Sequence, residues 1–365
     1  MDPKKKAITA AVVGTALGVG GLVVVAMPAS AGAAPKLPQV SAENLVQSVM
    51  TAKPGAFDGT VSVSNNLGLP SMGNAIPGAS ALNVDSAHVF SDGAGKSKIA
   101  LAQGSSQETI IHNGTTVWDY KSNSNSATKT TIPADIAAKP GAGADAGKMT
   151  DPASAATQLL AKVRESSTVS VDGTATVADR PAYELVLTPK PTERTLLREI
   201  RVAVDSQTRM PLRVSVLSNG TTTPALELAF SGIEFTPQAA SEFAFTPPKG
   251  AKVTEKTAKL DDQTKAEAQQ AQQATKVVGD GWDTVLTGKL PAGTLAPKQQ
   301  SSGSAEGRGM DPQKLLSRVA KRVSGTWGSG YLFTTKVGGA VLTDDGRYAV
   351  GAVPEQVLYE ALGTK

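Results

Sequence analysis

The sequence predicts a mainly β protein of the α+β class, and three observations predict it. Only 4% of the residues are aromatic, while Ala, Gly, Ser, Thr and Val are abundant, a mix that suits thin sheets better than a dense enzyme core. Short segments of period-two alternation recur along the chain, separated by turn residues, which is the pattern of half-buried strands. Helical spacing, by contrast, is confined to a few short segments. The clearest strands lie in Leu196–Gly220. There Ile200, Val202 and Val204 share one face and Arg201 points away; after a turn at Asp205–Arg209, Leu212, Val214 and Val216 share a face while Arg213 and Ser215 look out. Arg201 and Arg213 are expected to meet water.

The chain has 365 residues, comfortable for two domains. It opens with Lys4–Lys6, an uncharged stretch from Ala7 through Pro35 whose apolar core ends at Ala26, and Pro28-Ala29-Ser30-Ala31. A basic start, an apolar core and an A-x-A end describe a secretory signal peptide, with cleavage expected after Ala31. The rival reading is an uncleaved anchor, since about 20 apolar residues span a bilayer. Either way the protein is expected to work outside the cytoplasmic membrane, in the cell envelope or beyond. The formal charge of +4 falls to +2 once Lys4–Lys6 and Asp2 are removed, so nucleic-acid binding has little electrostatic support. There is no cysteine, which excludes disulfides, a thiolate nucleophile, Cys-ligated zinc and a lipidated N-terminal cysteine.

Residues 32–40 read as an Ala/Pro linker. Ser41 caps a helix with Leu45, Val46, Val49 and Met50 on one side, ending before Pro54. Asp58-Gly59 reads as a turn into Thr60–Leu67, and 68–80 as an irregular loop. A meander follows: Val84–Ser91, Ser97–Ala102, Thr109–His112, Thr116–Tyr120 and Lys129–Ile132, punctuated by Asp92-Gly93, Gly104-Ser105, Asn113-Gly114 and a Ser/Asn tract over 122–126. After a loop over 133–151, Pro152–Glu165 has helical spacing. Thr168–Val177 and Ala182–Thr188 form a hairpin across Ala178–Pro181, with Tyr183, Leu185 and Leu187 on one side and Glu184 on the other. Leu226–Phe235 and Phe243–Pro248 complete this unit, over 41–253. Residues 254–276 are rich in Gln, Ala, Lys and Asp and read as a spacer. A small α+β unit over 277–365 has a basic amphipathic helix, Pro312–Val323, strands Thr284–Leu286, Tyr331–Lys336, Ala340–Thr343 and Tyr348–Val353, and a terminal helix from near Pro354.

No residue set supports catalysis or a cofactor. Gly95-Lys96-Ser97 lacks the first glycine of a phosphate loop, since Phe90 stands there, and runs on as a strand. His88 and His112, the only histidines, lack acidic partners or metal-ligand spacing and read as sheet-surface residues. Asn113-Gly-Thr115 and Asn219-Gly-Thr221 match the glycosylation pattern but are explained by turn chemistry.

The order of elements, with Asp58-Gly-Thr-Val61, Trp118-x-Tyr120, Tyr183-Glu-Leu-Val-Leu-Thr-Pro189, Ile200–Asp205 with Pro211, and Phe243–Pro248, resembles the LolA-like family of exported lipoprotein carriers in its actinobacterial form. The resemblance covers about 41–253. It implies an incomplete antiparallel β-barrel of about eleven strands enclosing helices, with a cavity that accepts acyl chains. The RseB/MucB regulators, which carry a smaller C-terminal domain and bind an anti-sigma factor, share that fold and the two-unit layout. Two functions follow as expectations: a non-enzymatic binder of lipid or lipoprotein acyl chains, or an envelope-stress sensor binding an anti-sigma factor or other membrane protein. The residues expected to line the cavity are Val61, Val63, Ile110, Val117, Leu185, Val202, Val204, Val214 and Leu228.

Overall fold

The structure, a computed structural model, describes residues 34–68, 84–133, 160–258, 275–290 and 320–363. Helix α1 (Ala42–Thr51) forms where the sequence places it: Ser41 is extended and its Oγ accepts the Asn44 amide at 3.2 Å. Helix α2 is described over 160–166 and runs straight into β7 (Ser167–Val177). Most of what remains is strand, in two sheets.

The larger sheet is built outward from β1 (Phe57–Asn65). On one side lies the meander of β2 (Ser86–Ser91), β3 (Ser97–Gln103), β4 (Ser106–Asn113), β5 (Thr116–Lys121) and β6 (Ser126–Thr131). On the other side come β11 (Leu226–Glu234), β10 (Pro211–Ser218), β9 (Leu197–Asp205), β8 (Arg180–Pro189) and finally β7. Strand β12 (Lys252–Thr257) adds to β6 in parallel, giving twelve strands in the order β12-β6-β5-β4-β3-β2-β1-β11-β10-β9-β8-β7. The two outer strands do not pair with each other, so the sheet is an incomplete barrel, as expected.

Turn chemistry sets the registers. Gly114-Thr115 makes the two-residue loop of the β4–β5 hairpin, with Gly114 at φ 66° and Asn113 already paired with Thr116, and the β7–β8 hairpin turns on Ala178 and Asp179, both left-handed at φ 49° and 59°. That second turn is shorter than its sequence suggests because Arg180 already pairs with Val177.

The smaller sheet has the order β13 (Thr275–Val278), β14 (Val285–Lys289), β18 (Arg347–Gly351), β17 (Gly339–Thr343), β16 (Gly328–Thr334) and β15 (Lys321–Gly325). Helix α3 (Glu355–Gly363) packs Val357, Leu358, Ala361 and Leu362 on Val285, Leu332, Val341 and Ala349. The sheet docks on the larger one: Trp282 Nε1 donates to Ser167 Oγ at 2.6 Å, and the Leu196 amide donates to the Ala352 carbonyl at 2.9 Å.

Several expectations need correction. Asp58-Gly59 is not a turn. Both residues lie inside β1, and a Cβ on Gly59 would come within 2.7 Å of the Phe230 ring, so glycine there permits close packing rather than reversal. Before Phe243–Pro248, Ala240–Phe243 forms a single 3-10 turn, and the chain then crosses the sheet. Lys321–Val323 belongs to β15, because pairing with Leu332, Tyr331 and Gly330 outweighs the helical spacing; the first part of that expected helix lies outside the described residues. The spacer contributes β12 at its start and β13 at its end, with 259–274 outside the described residues. The export signal, most of the 68–80 loop and most of 133–159 also lie outside them.

Candidate functional site

The registers put all nine expected lining residues on one face of the large sheet. Val171, Leu185, Val202, Val214, Leu228 and Val63 form one row straight across six strands. A neighbouring row starts with Phe230 and Val61 and continues through Ala87 and Leu101. Beyond it, Val89, Ile99, Ile110 and Asp119 align, and then Ser97, His112 and Val117. Antiparallel partners share a face, so these rows form one continuous, largely apolar surface.

Burial divides the nine. Leu185, Val202 and Val204 are closed over by α1 and α2, through Ala42, Leu45, Leu160 and the half-buried Val163. Val61 and Val63 are filled by a corner of Phe57, Val89, Phe230 and Ile233, where Phe57 and Phe230 meet edge to face with centroids 6.2 Å apart. Ile110, Val117, Val214 and Leu228 remain half-buried, as do Ile99 and Leu101 on the same face. Ile99 and Leu101 were not among the expected lining residues, although the alternation in Lys98-Ile99-Ala100-Leu101 carries the signal.

The opposite face of the meander is closed by the segment after β11. Phe243 is 2% exposed, and Phe245 packs on Trp118 and Tyr120 with centroids 5.2 and 5.7 Å away. Lys98 pairs with Glu242 at 2.8 Å, and Ile111 and Ala127 are buried beneath. Thus Trp118-x-Tyr120 and the Phe-x-Phe motif, distant in sequence, pack on each other and away from the lining residues.

The polar surroundings are uneven. Asp119 sits beside Ile110 on the lining face; burial, and next the charge of Glu108, push its carboxyl above the usual range, against the pull of Lys121. Its Oδ1 is buried and has no hydrogen-bond partner. On the far face of the other arm, Arg201 and Arg213 do not simply meet water. Both bind the buried Glu184, and Arg201 also reaches Glu199 at 2.9 Å. Asp205, fully buried, takes Arg180 at 2.6 Å and the amides of Gln207 and Thr208. Burial pushes its carboxyl up, but those hydrogen bonds prevail and hold it below the usual range. Leu212 departs from the expected alternation. A bulge between Pro211 and Arg213 breaks the register, and Leu212 clusters with Ala203 and Ala182 instead of Val202 and Val204.

The remaining motifs are structural. Asp92 accepts the amides of Ala94 and Lys96, making Gly95-Lys96-Ser97 the end of a hairpin turn. His88 stacks on Phe90 at 4.3 Å, whereas His112 Nδ1 lies 2.8 Å from the Gly95 carbonyl. The registers place the two histidines on opposite faces, so they cannot share a metal ion. Gly220, at φ 77°, explains Asn219-Gly as a turn.

No family model and no curated protein matches the chain. Solved structures do. The MucA/MucB complex of Pseudomonas aeruginosa is matched at 14% identity and TM-score 0.43, over 88% of this chain and 96% of that one. The Mycobacterium tuberculosis lipoprotein LppX is matched at 11% identity and TM-score 0.29, over 52% of this chain and 93% of that one. A LolA superfamily protein from Nitrosomonas europaea is matched at 11% identity and TM-score 0.21, over 57% and 99%.

Proposed function

We propose that the protein is an exported, non-enzymatic binder of lipid or lipoprotein acyl chains, held against the helix side of the open twelve-stranded sheet. The observation that carries this reading is the set of half-buried apolar side chains, Ile99, Leu101, Ile110, Val117, Val214 and Leu228, on the same face as the closely packed Leu185, Val202, Val204, Val61 and Val63. Each acyl methylene taken out of water contributes about 0.8 kcal/mol, so one or two chains supply useful affinity. Native mass spectrometry of the mature protein purified from its own host is expected to show co-purifying lipid. Protein free of extractable lipid that also ignores fluorescent acyl probes defeats the proposal.

A second reading, an envelope sensor that binds a membrane protein such as an anti-sigma factor, is favoured by one observation. Leu286 and Val350 pair in register on the small sheet, on the side away from α3, and are 41% and 43% exposed. In-cell crosslinking would then capture one defined partner and lose it in a Leu286→Asp, Val350→Asp variant. Capture of many unrelated lipoproteins supports the carrier instead.

A further inference from the structure

One charged group beside the lining face has no evident use in the fold. Arg209 closes the β9–β10 turn with φ 62°, a left-handed backbone uncommon outside glycine, asparagine and aspartate. The turn is rigidly held: the Asp205 carboxylate accepts Gln207, Thr208 and Arg180, and the Arg209 amide donates to the Asp205 carbonyl at 3.2 Å. The guanidinium lies over the Tyr183 ring, 5.3 Å from its centroid. Tyr183 is 6% exposed and clusters with Leu45, Val202 and Val204. Arg209 Nη1 is buried and has no hydrogen-bond partner. A guanidinium stays charged at any physiological pH, and a donor removed from water without an acceptor is a standing penalty that folded proteins rarely leave in place.

The position of this group gives it a use. Tyr183 pairs with Val204, one step along the strands from Leu185, Val202, Val214 and Leu228, about 7 Å away. A ligand chain that lies on Val214 and Leu228, the half-buried members of that row, and runs along β10 brings its head to the turn. We propose that Arg209, stacked on Tyr183, is the headgroup-recognition residue of the acyl site and takes an anionic carboxylate or phosphate. The proposal rests on the acyl-binding reading above. A planar fork preset on an aromatic ring suits either anion, and both supply the acceptor that Nη1 lacks.

The test compares a fluorescent fatty acid with its methyl ester on the full mature chain, with inorganic phosphate as a separate probe. Wild-type protein is expected to bind the acid about tenfold more tightly than the ester, the usual scale of one charge-assisted hydrogen bond. In Arg209→Gln the ratio falls to about one, and Arg209→Lys, which keeps the charge but not the fork, recovers only part of it. Near-UV circular dichroism checks that both variants fold. Phosphate that displaces the acid but not the ester shows that the subsite takes free anions; phosphate that displaces neither shows that the anion is read only on its chain. Either result supports the assignment when the ratio depends on Arg209. An equal ratio in wild type and Arg209→Gln overturns it. If no acyl probe binds at all, the acyl reading falls. The anion site then survives only if calorimetry shows phosphate binding that Arg209→Gln abolishes, and is otherwise overturned as well.

Discussion

The two arms of the large sheet carry the same alternating pattern and use it in opposite ways. In β7–β10 the largely apolar side faces the helices and is closed by Leu45, while the other side holds Glu184 between Arg201 and Arg213. In β4–β6 the most deeply buried apolar side chains, Ile111 and Ala127, lie on the other face under Phe243 and Phe245. Their neighbours Ile110 and Val117, on the helix side, stay half-buried. Alternation therefore tells which residues share a face. What covers that face is decided by elements far away in the chain, here a helix at 42–51 on one arm and a short segment at 240–245 on the other.

The sharpest way to break this comparison is to remove each cover in turn. Phe243→Ala deletes an almost fully buried ring and is expected to destabilise the protein by about 3–5 kcal/mol. Leu45→Ala, from a side chain with no exposure, is expected to cost about 2–5 kcal/mol. Both are read from urea unfolding monitored at the tryptophans, two of which, Trp118 and Trp282, sit at the meander and at the contact between the sheets. A loss below about 1 kcal/mol in Phe243→Ala means that the segment lies loosely on β4–β6, and the proposed division of the sheet fails.

The open side of the comparison is sharpened by polar substitution. Ile110→Ser with Val117→Ser changes two half-buried positions, so the stability loss is expected to stay within about 2 kcal/mol for the pair. Acyl-probe affinity is expected to fall roughly tenfold, the equivalent of one or two methylenes of lost contact. The same pair of substitutions with unchanged probe affinity and a large loss of stability would make Ile110 and Val117 ordinary core.

How much of this was legible follows from the same contrast. Strand positions and shared faces follow from local pattern and turn chemistry, which is why all nine lining residues fall on one side. The division into filled and open positions depends on contacts across more than a hundred residues, such as Phe245 on Trp118, which no local pattern encodes. Three failures have a common cause. The extra residue at the β10 bulge moved Leu212, cross-strand pairing turned Lys321–Val323 into β15, and parallel pairing with β6 drew Thr254–Thr257 out of the spacer. In each, a partner strand overrode a local preference. Arg209 was invisible for another reason. Its significance lies in an unmet hydrogen bond and a ring beneath it, and neither has a sequence signature.

The smallest expected effect concerns Asp119, the carboxylate paired with Ile110 on the open face, where Glu108 also lies. Burial first, and then Glu108, raise its pKa above the unfolded value of about 3.9, so the folded state holds this proton more tightly than the unfolded chain does. Its contribution is therefore most favourable below that value and is lost as pH rises through the folded pKa. Asp119→Asn removes the charge without changing the shape, and its thermal midpoint at pH 7 is expected to exceed that of the wild type by roughly 1–3 °C. The increment is small because the group is only partly withdrawn from water, and it should vanish below about pH 4, where both proteins are neutral at this position. A variant less stable than wild type at pH 7 would mean that the carboxylate is held by hydrogen bonds after all. The same substitution also takes the anion beside Ile110 off the floor of the open arm. Fatty-acid binding that strengthens in this variant while ester binding stays level would show that Asp119 and Arg209 bias opposite ends of the same face.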